Sequence, residues 1–237
     1  MTSISNRRQS RQVPPGKRPC CQRGNARNTV LRGMALAFAL AFALAASGCA
    51  FVDKPLRSSV YDFGPGSMTG TPPGGVESLG VVALSEVETG SALDNTSVMY
   101  RLVYANNQQL LPYAQARWST PPAQLVRERL RDVLGQRRTV LSPGDGNVSG
   151  ARPTVMLRVE LEEFSQLFDA PAHSYGLVRL RATVLQGSGS GDRLMGQRNF
   201  VVQRPAPTPD AAGGVHALSA ATGAAADEIE QWLSQLR

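Results

Sequence analysis

The chain has 237 residues, 42% of them hydrophobic, and a formal charge of +7. Eight basic residues and no acidic one precede Cys49 (Arg7, Arg8, Arg11, Lys17, Arg18, Arg23, Arg27, Arg32), which leaves 17 of the 25 basic residues against 18 acidic ones in the rest, a balance of −1. The positive charge therefore belongs to the first 48 residues, and the other 189 lack the basic surface that nucleic-acid binding needs.

Met1 to Val30 is polar, Arg-rich and without periodicity, and is expected to be disordered. Met34 to Ala46 then contains only Met, Ala, Leu and Phe. Its length, roughly 20 Å as a helix, falls short of the ~20 apolar residues of a membrane span. With Arg27 and Arg32 before it and small residues after it, the run fits the apolar core of a secretory signal. Ala46-Ser47-Gly48-Cys49 resembles a bacterial lipobox, Leu-(Ala/Ser)-(Gly/Ala)-Cys, with Ala46 standing where Leu is usual. Residues 1–48 are thus expected to be removed as a signal peptide with a long basic extension. Cys49 is expected to carry the lipid, 49–59 to form a tether, and 60–237 to fold as one domain. Ala50 stands where an Asp resembles the signal for retention at the inner membrane, which favours the periplasmic face of the outer membrane. Cys20 and Cys21 lie in the removed part, so the mature chain has no internal disulfide and no Cys metal site.

After the tether, Val60 to Phe63 reads as a short strand closed by Gly64-Pro65-Gly66, and the Gly/Pro/Ser/Thr stretch to Gly75 reads as a loop. Ser78 to Leu84 is nearly continuous apolar sequence of strand length, which suits a central strand buried on both faces. Val98–Ala105 and Gln109–Arg117 read as a strand pair joined at Asn106-Asn107, where Asn tolerates the positive φ of a tight turn, and Pro112 marks an edge or a bulge. Thr120 is expected to cap a helix with Pro121 in its first position. Leu125, Val126, Leu130, Val133 and Leu134 then share one face of that helix, and Gly135 stops it.

A turn at Ser142–Gly146 precedes three strands. Val155, Leu157, Val159 and Leu161 alternate with polar residues, as do Leu180, Ala182 and Val184, and Phe200 and Val202 share a face within Leu194–Gln203. Gly187–Gly191 reads as the hairpin loop between the last two strands, and Arg204–Gly214 as a surface linker. The closing helix, His216–Leu236, keeps Leu218, Ala221, Ala225, Ile229, Trp232 and Leu236 at helical spacing, with Ala residues small enough to let it lie close to a sheet. The order βββα then βββα predicts a single α+β domain, a mostly antiparallel sheet with two helices packed on one face.

The run Val98-Met99-Tyr100-Arg101-Leu102-Val103-Tyr104, then Leu111-Pro112-Tyr113, then Arg117-Trp118-Ser119-Thr120-Pro121-Pro122 before an amphipathic helix, resembles the ABC-type transport auxiliary lipoproteins, the family that includes the lipoprotein of the paraquat-inducible Pqi system. Ser119 and Thr120 depart from the Ala and acidic residues more usual there. The resemblance implies a non-catalytic outer-membrane lipoprotein. Its implied partners are an MCE-domain protein and an ABC permease and ATPase, in phospholipid traffic across the envelope.

Tyr100, Tyr104, Tyr113, Arg117 and Trp118 are residue types that dominate interface energetics and form the candidate partner contact. The competing reading for Trp118 is a ring buried beneath the start of the helix. Hydrolase chemistry finds no support: His173 and His216 are the only histidines, and Gly-x-Ser-x-Gly, His-Glu-x-x-His and Walker A patterns are absent. Gly187-Ser188-Gly189-Ser190-Gly191 precedes a strand pattern rather than the helix a phosphate loop requires. The sequence calls for no cofactor and no metal. A structural or regulatory lipoprotein that binds cell-wall or assembly machinery is the alternative.

Overall fold

The structure is a computed structural model and describes residues 57–66, 79–142, 155–188 and 191–236. Its elements are β1 (Ser59–Tyr61), β2 (Val81–Thr89), β3 (Ser97–Leu102), α1 (Val103–Asn106), β4 (Leu111–Trp118), α2 (Pro122–Gly135), β5 (Thr139–Leu141), β6 (Val155–Ala170), β7 (His173–Ser188), β8 (Gly191–Pro205) and α3 (Ala211–Gln235).

One eight-stranded sheet is built around β6. On one side β6 pairs antiparallel with β7, and β7 with β8. On its other side the sheet forks: the first half of β6 pairs with β2, which continues to β5, and the second half pairs with β3, which continues to β4 and β1. The long ladders are antiparallel, whereas β1–β4, β2–β5, β2–β6 and β3–β6 are parallel, so the sheet is mixed. The domain is α+β as expected, with the parallel branches as the added feature. Val82, Ala83 and Leu84, the continuous apolar run, lie in the strand with parallel neighbours on both sides and are at most 1% exposed.

The period of β6 changes partway. Leu157, Val159 and Leu161 point into the core, a bulge between Leu161 and Glu163 inserts one residue, and beyond it the alternate residues Phe164, Gln166 and Phe168 are buried, as is Ser165 between them. The bulge also turns two carboxylates to separate cations, Glu162 to Arg181 and Glu163 to Arg101, the latter at 2.9 Å.

α2 packs over β2 through Leu125, Val126, Leu130 and Leu134, and α3 packs over β7 and β8 and against α2. The expected close approach of α3 is present. Ala217, Ala221 and Ala225 are fully buried, and a Cβ added at Gly176 of β7 would stand 2.7 Å from the backbone nitrogen of Leu218.

Several boundaries differ from the sequence reading. Val103–Ala105 is helical, not strand, and Asn107 has φ −71°, while the Asn106 side chain accepts from the Gln108 N–H; the turn is closed by that side chain rather than by a positive φ. Thr120 does not cap α2: Pro121 occupies the cap position, Pro122 is the first helical residue, and the Thr120 hydroxyl is buried without a partner among the described residues. Most of the expected linker is structured, because β8 runs to Pro205 and Asp210 caps α3 by accepting from Gly213 N–H at 2.8 Å. That cap and the packing against β7 outweigh the poor helix propensity of Gly213 and Gly214. The expected turn at Ser142–Gly146 falls outside the described residues after Ser142, and the expected loop Gly187–Gly191 is shorter than read, because β7 and β8 pair up to Ser188 and Gly191 and only 189 and 190 lie outside the described residues. The expected signal peptide, Cys49 and residues 50–56 of the expected tether also lie outside them, while Ser59, the last residue of that expected tether, is already in β1.

Candidate functional site

The five candidate contact residues come from β3, α1 and β4, and the fold separates them into three environments. Trp118 is 1% exposed, edge-on to Phe63 at 5.7 Å and 5.5 Å from Phe164. It is a core residue under the start of α2, and its ring offers no surface to a partner. A register shift between β3 and β4 lies between it and Tyr113, so that both face inward although they are five positions apart.

Tyr100 and Tyr113 face each other across that same strand pair, with ring centroids 4.6 Å apart, and Phe168 meets Tyr100 edge-on at 6.1 Å. The Tyr113 hydroxyl donates to Gln166 Oε1 at 2.8 Å, and Gln166 Nε2 donates to Ser174 Oγ at 2.8 Å. Gln166 is fully buried, so this chain satisfies an amide that otherwise destabilises the core. Gly214 holds the amide from above: a Cβ there would lie 2.1 Å from Gln166 Oε1. Burial, the neighbouring Tyr100 and the charge of Asp210 push the Tyr113 hydroxyl up from its ordinary value. It stays protonated and keeps its role as donor.

Arg117 and Tyr104 are the exposed members. Arg117 pairs in register with Val60 and its Nε donates to Ser58 Oγ at 3.0 Å, which ties the residue just before β1 to β4. Tyr104 is 49% exposed on the single turn of α1.

Beside Tyr113, where β1 and β4 meet the first turn of α3, lies a cavity of ≈ 260 Å³. Ser59, Tyr61, Tyr113, Gln115, Asp210 and Ala211 line it. Asp210 is held below the ordinary carboxylate range, first by the Gly213 N–H and then by the Thr208 hydroxyl, and so remains charged. The sequence reading missed Gln166, Ser174, Tyr61 and Asp210 as parts of this region. A signal for Gln166 was available, since it alternates with Phe164 and Phe168 at the spacing of one strand face.

The two histidines do not meet. His173 stands at the exposed β6–β7 turn with Nδ1 2.6 Å from Asp169 Oδ1, and His216 is exposed on α3. No helix among the described residues is long and apolar enough to cross a membrane.

Comparison with solved structures agrees with this architecture. Protein XCC0632 from Xanthomonas campestris is similar at 16% identity and a TM-score of 0.59, over 75% of this chain and 96% of that one. A structure described as an uncharacterized protein is similar at 14% identity and a TM-score of 0.54, over 75% and 99% of the two chains. At such identities the likeness speaks to the fold alone. Comparison with curated proteins gives no match. The model of the ABC-type transport auxiliary lipoprotein component matches residues 61–230, from the last residue of β1 to the buried Glu230 of α3. With nearly every element of the domain inside that match, the chain belongs to the ABC-type transport auxiliary lipoprotein family.

Proposed function

We propose that this protein is the lipid-anchored, non-catalytic auxiliary of an MCE-type ABC system that moves phospholipid across the bacterial envelope. Residues 1–48 direct export and are removed, Cys49 carries the lipid, and the domain from residue 60 stands on the periplasmic face of the outer membrane. The observation that carries this reading is the family match over residues 61–230, to which the lipobox ending at Cys49 adds the anchor. The partners are an MCE-domain protein and the ABC permease and ATPase. Tyr104 and Arg117 are the candidate contacts with open surface, Tyr100 and Tyr113 contribute through a half-buried edge, and Trp118 supports them from the core.

Two measurements test this. Mass spectrometry of the mature N-terminus is expected to find an acylated Cys49. Solubilised membranes are expected to yield the MCE protein and the ABC subunits with the tagged chain, and less of them when Tyr104 and Arg117 are both replaced by Ala. Recovery of the chain with cell-wall enzymes instead, or an unmodified Cys49 behind an intact leader, overturns the reading.

A further inference from the structure

The cavity beside Tyr113 has a chemistry that selects among ligands. An anion is disfavoured, because the side chain at the mouth of α3 is itself a carboxylate and already serves the helix N-terminus. A metal ion is disfavoured too, since Asp210 is the one charged group among the described lining residues and a hard cation needs several oxygen ligands. A neutral apolar guest leaves that carboxylate, together with Ser59 and Gln115, in contact with hydrocarbon. Of these classes and an organic cation, the lining fits the cation best. Tyr113 spends its hydroxyl on Gln166 and one ring face on Tyr100, so it offers the cavity mainly aromatic carbon, and Tyr61 adds a second ring. Two tyrosine rings and an ionised carboxylate around a space of several water volumes match a substituted ammonium group.

We propose that the cavity of Tyr61, Tyr113 and Asp210 binds the ammonium end of a lipid head group, ethanolamine or choline. The ammonium chemistry stands on the cavity alone, whereas its lipid source rests on the anchored reading above. Ser59 lines the cavity and follows Cys49 by ten residues, at most about 36 Å of chain, so the cavity lies within reach of the head groups of the membrane that holds the anchor.

The test uses the full-length acylated protein, followed by the NMR signals of its tyrosine rings. Choline is expected to give saturable shifts at Tyr61 and Tyr113, and its neutral isostere 3,3-dimethylbutan-1-ol is not. Asp210→Asn retains a good helix cap and is expected to weaken choline about five- to tenfold with its melting temperature little changed. Tyr61→Leu is expected to weaken it in the same direction. Equal response to choline and to the isostere, or an unchanged affinity in Asp210→Asn, overturns the ammonium site. Competition identifies the source: the apparent affinity for choline is expected to fall several-fold when the protein sits in bilayers containing phosphatidylethanolamine rather than phosphatidylglycerol alone. No difference between the two bilayers overturns the lipid assignment. Recovery of the transporter subunits is a separate readout, so the failure of the cavity and the failure of the transport role are distinguishable.

Discussion

Arg138 and Glu230 form the most deeply buried ion pair among the described residues, with side chains 11% and 5% exposed and Nε 2.9 Å from Oε2. The guanidinium also donates Nη1 to the Leu79 carbonyl at 3.1 Å, so one side chain joins the end of α2, the approach to β2, and α3. Arg138 Nη2 and Glu230 Oε1 have no hydrogen-bond partner among the described residues, so desolvation is only partly offset. Removing one partner leaves the other charge buried and alone, and Arg138→Met is expected to cost about 3–5 kcal/mol in denaturant unfolding. The double variant Arg138→Met with Glu230→Leu is expected to recover most of that loss, because apolar groups of similar volume carry no desolvation penalty. Asp210 shows a charge acting at the surface. Its carboxyl is held low in the folded state by the Gly213 N–H and Thr208, so its contribution is complete above the unfolded carboxylate range and is lost as the pH falls through the lower folded value. The melting temperature is therefore expected to fall on acidification below the ordinary carboxylate range, and to fall less steeply in Asp210→Asn, which titration-resolved thermal melts measure.

The contact between α3 and β7 depends on small residues at the level of whole elements. At Gly176 a Cβ would lie 2.7 Å from Leu218 N and 2.8 Å from the Ala217 carbonyl carbon, and backbone cannot yield as a flexible side chain does. Gly176→Ala is expected to lift α3 and destabilise by about 1–3 kcal/mol. Gly223, inside the same helix with nothing within 4 Å of its would-be Cβ, gives the opposite sign: Gly223→Ala is expected to stabilise by about 0.5–1 kcal/mol. Chemical denaturation of the two variants side by side checks both. Patterns within single elements were readable in advance, including the buried run of β2, the apolar face of α2 and the first phase of β6. What the sequence concealed depends on partners far along the chain. The β6 bulge breaks the period at Glu162, and neither of the phases flanking it marks the site of the break. Gln166 meets Tyr113 across 53 positions, and the capped Gly-rich start of α3 looks like linker until β7 is placed beneath it. The candidate contact was legible as a set of residue types but not as a surface, because alternation along β4 turns Arg117 and Trp118 opposite ways, and it is Phe63 and Phe164, far along the chain, that cover the Trp118 side.

At the scale of the whole molecule, the basic stretch before Cys49 is followed by a near-neutral domain, and the anchor proposed at Cys49 stands where the two meet. The branch of the sheet closest in sequence to that cysteine is β1, held by parallel pairing to β4 and by Arg117 to Ser58. Pull on the chain that precedes β1 thus enters the fold through β1 and β4, next to Tyr61 and Tyr113 and away from the long β7–β8 hairpin. The family match begins at residue 61, twelve positions after Cys49, so the proposed anchor and the stability of the domain are expected to be separable. Cys49→Ser removes the only thiol available for acylation after residue 21, and is expected to leave the unfolding midpoint of the domain unchanged while the lipid label at the N-terminus disappears. The same variant is expected to retain contact with its partner subunits in detergent but to lose transport in cells, since it lacks the anchor rather than the binding surface. Fatty-acid labelling, a thermal melt and a transport assay on one preparation check the three arms. A drop in the melting temperature means that the anchor segment belongs to the fold, and undiminished transport means that tethering through Cys49 is not what positions the domain.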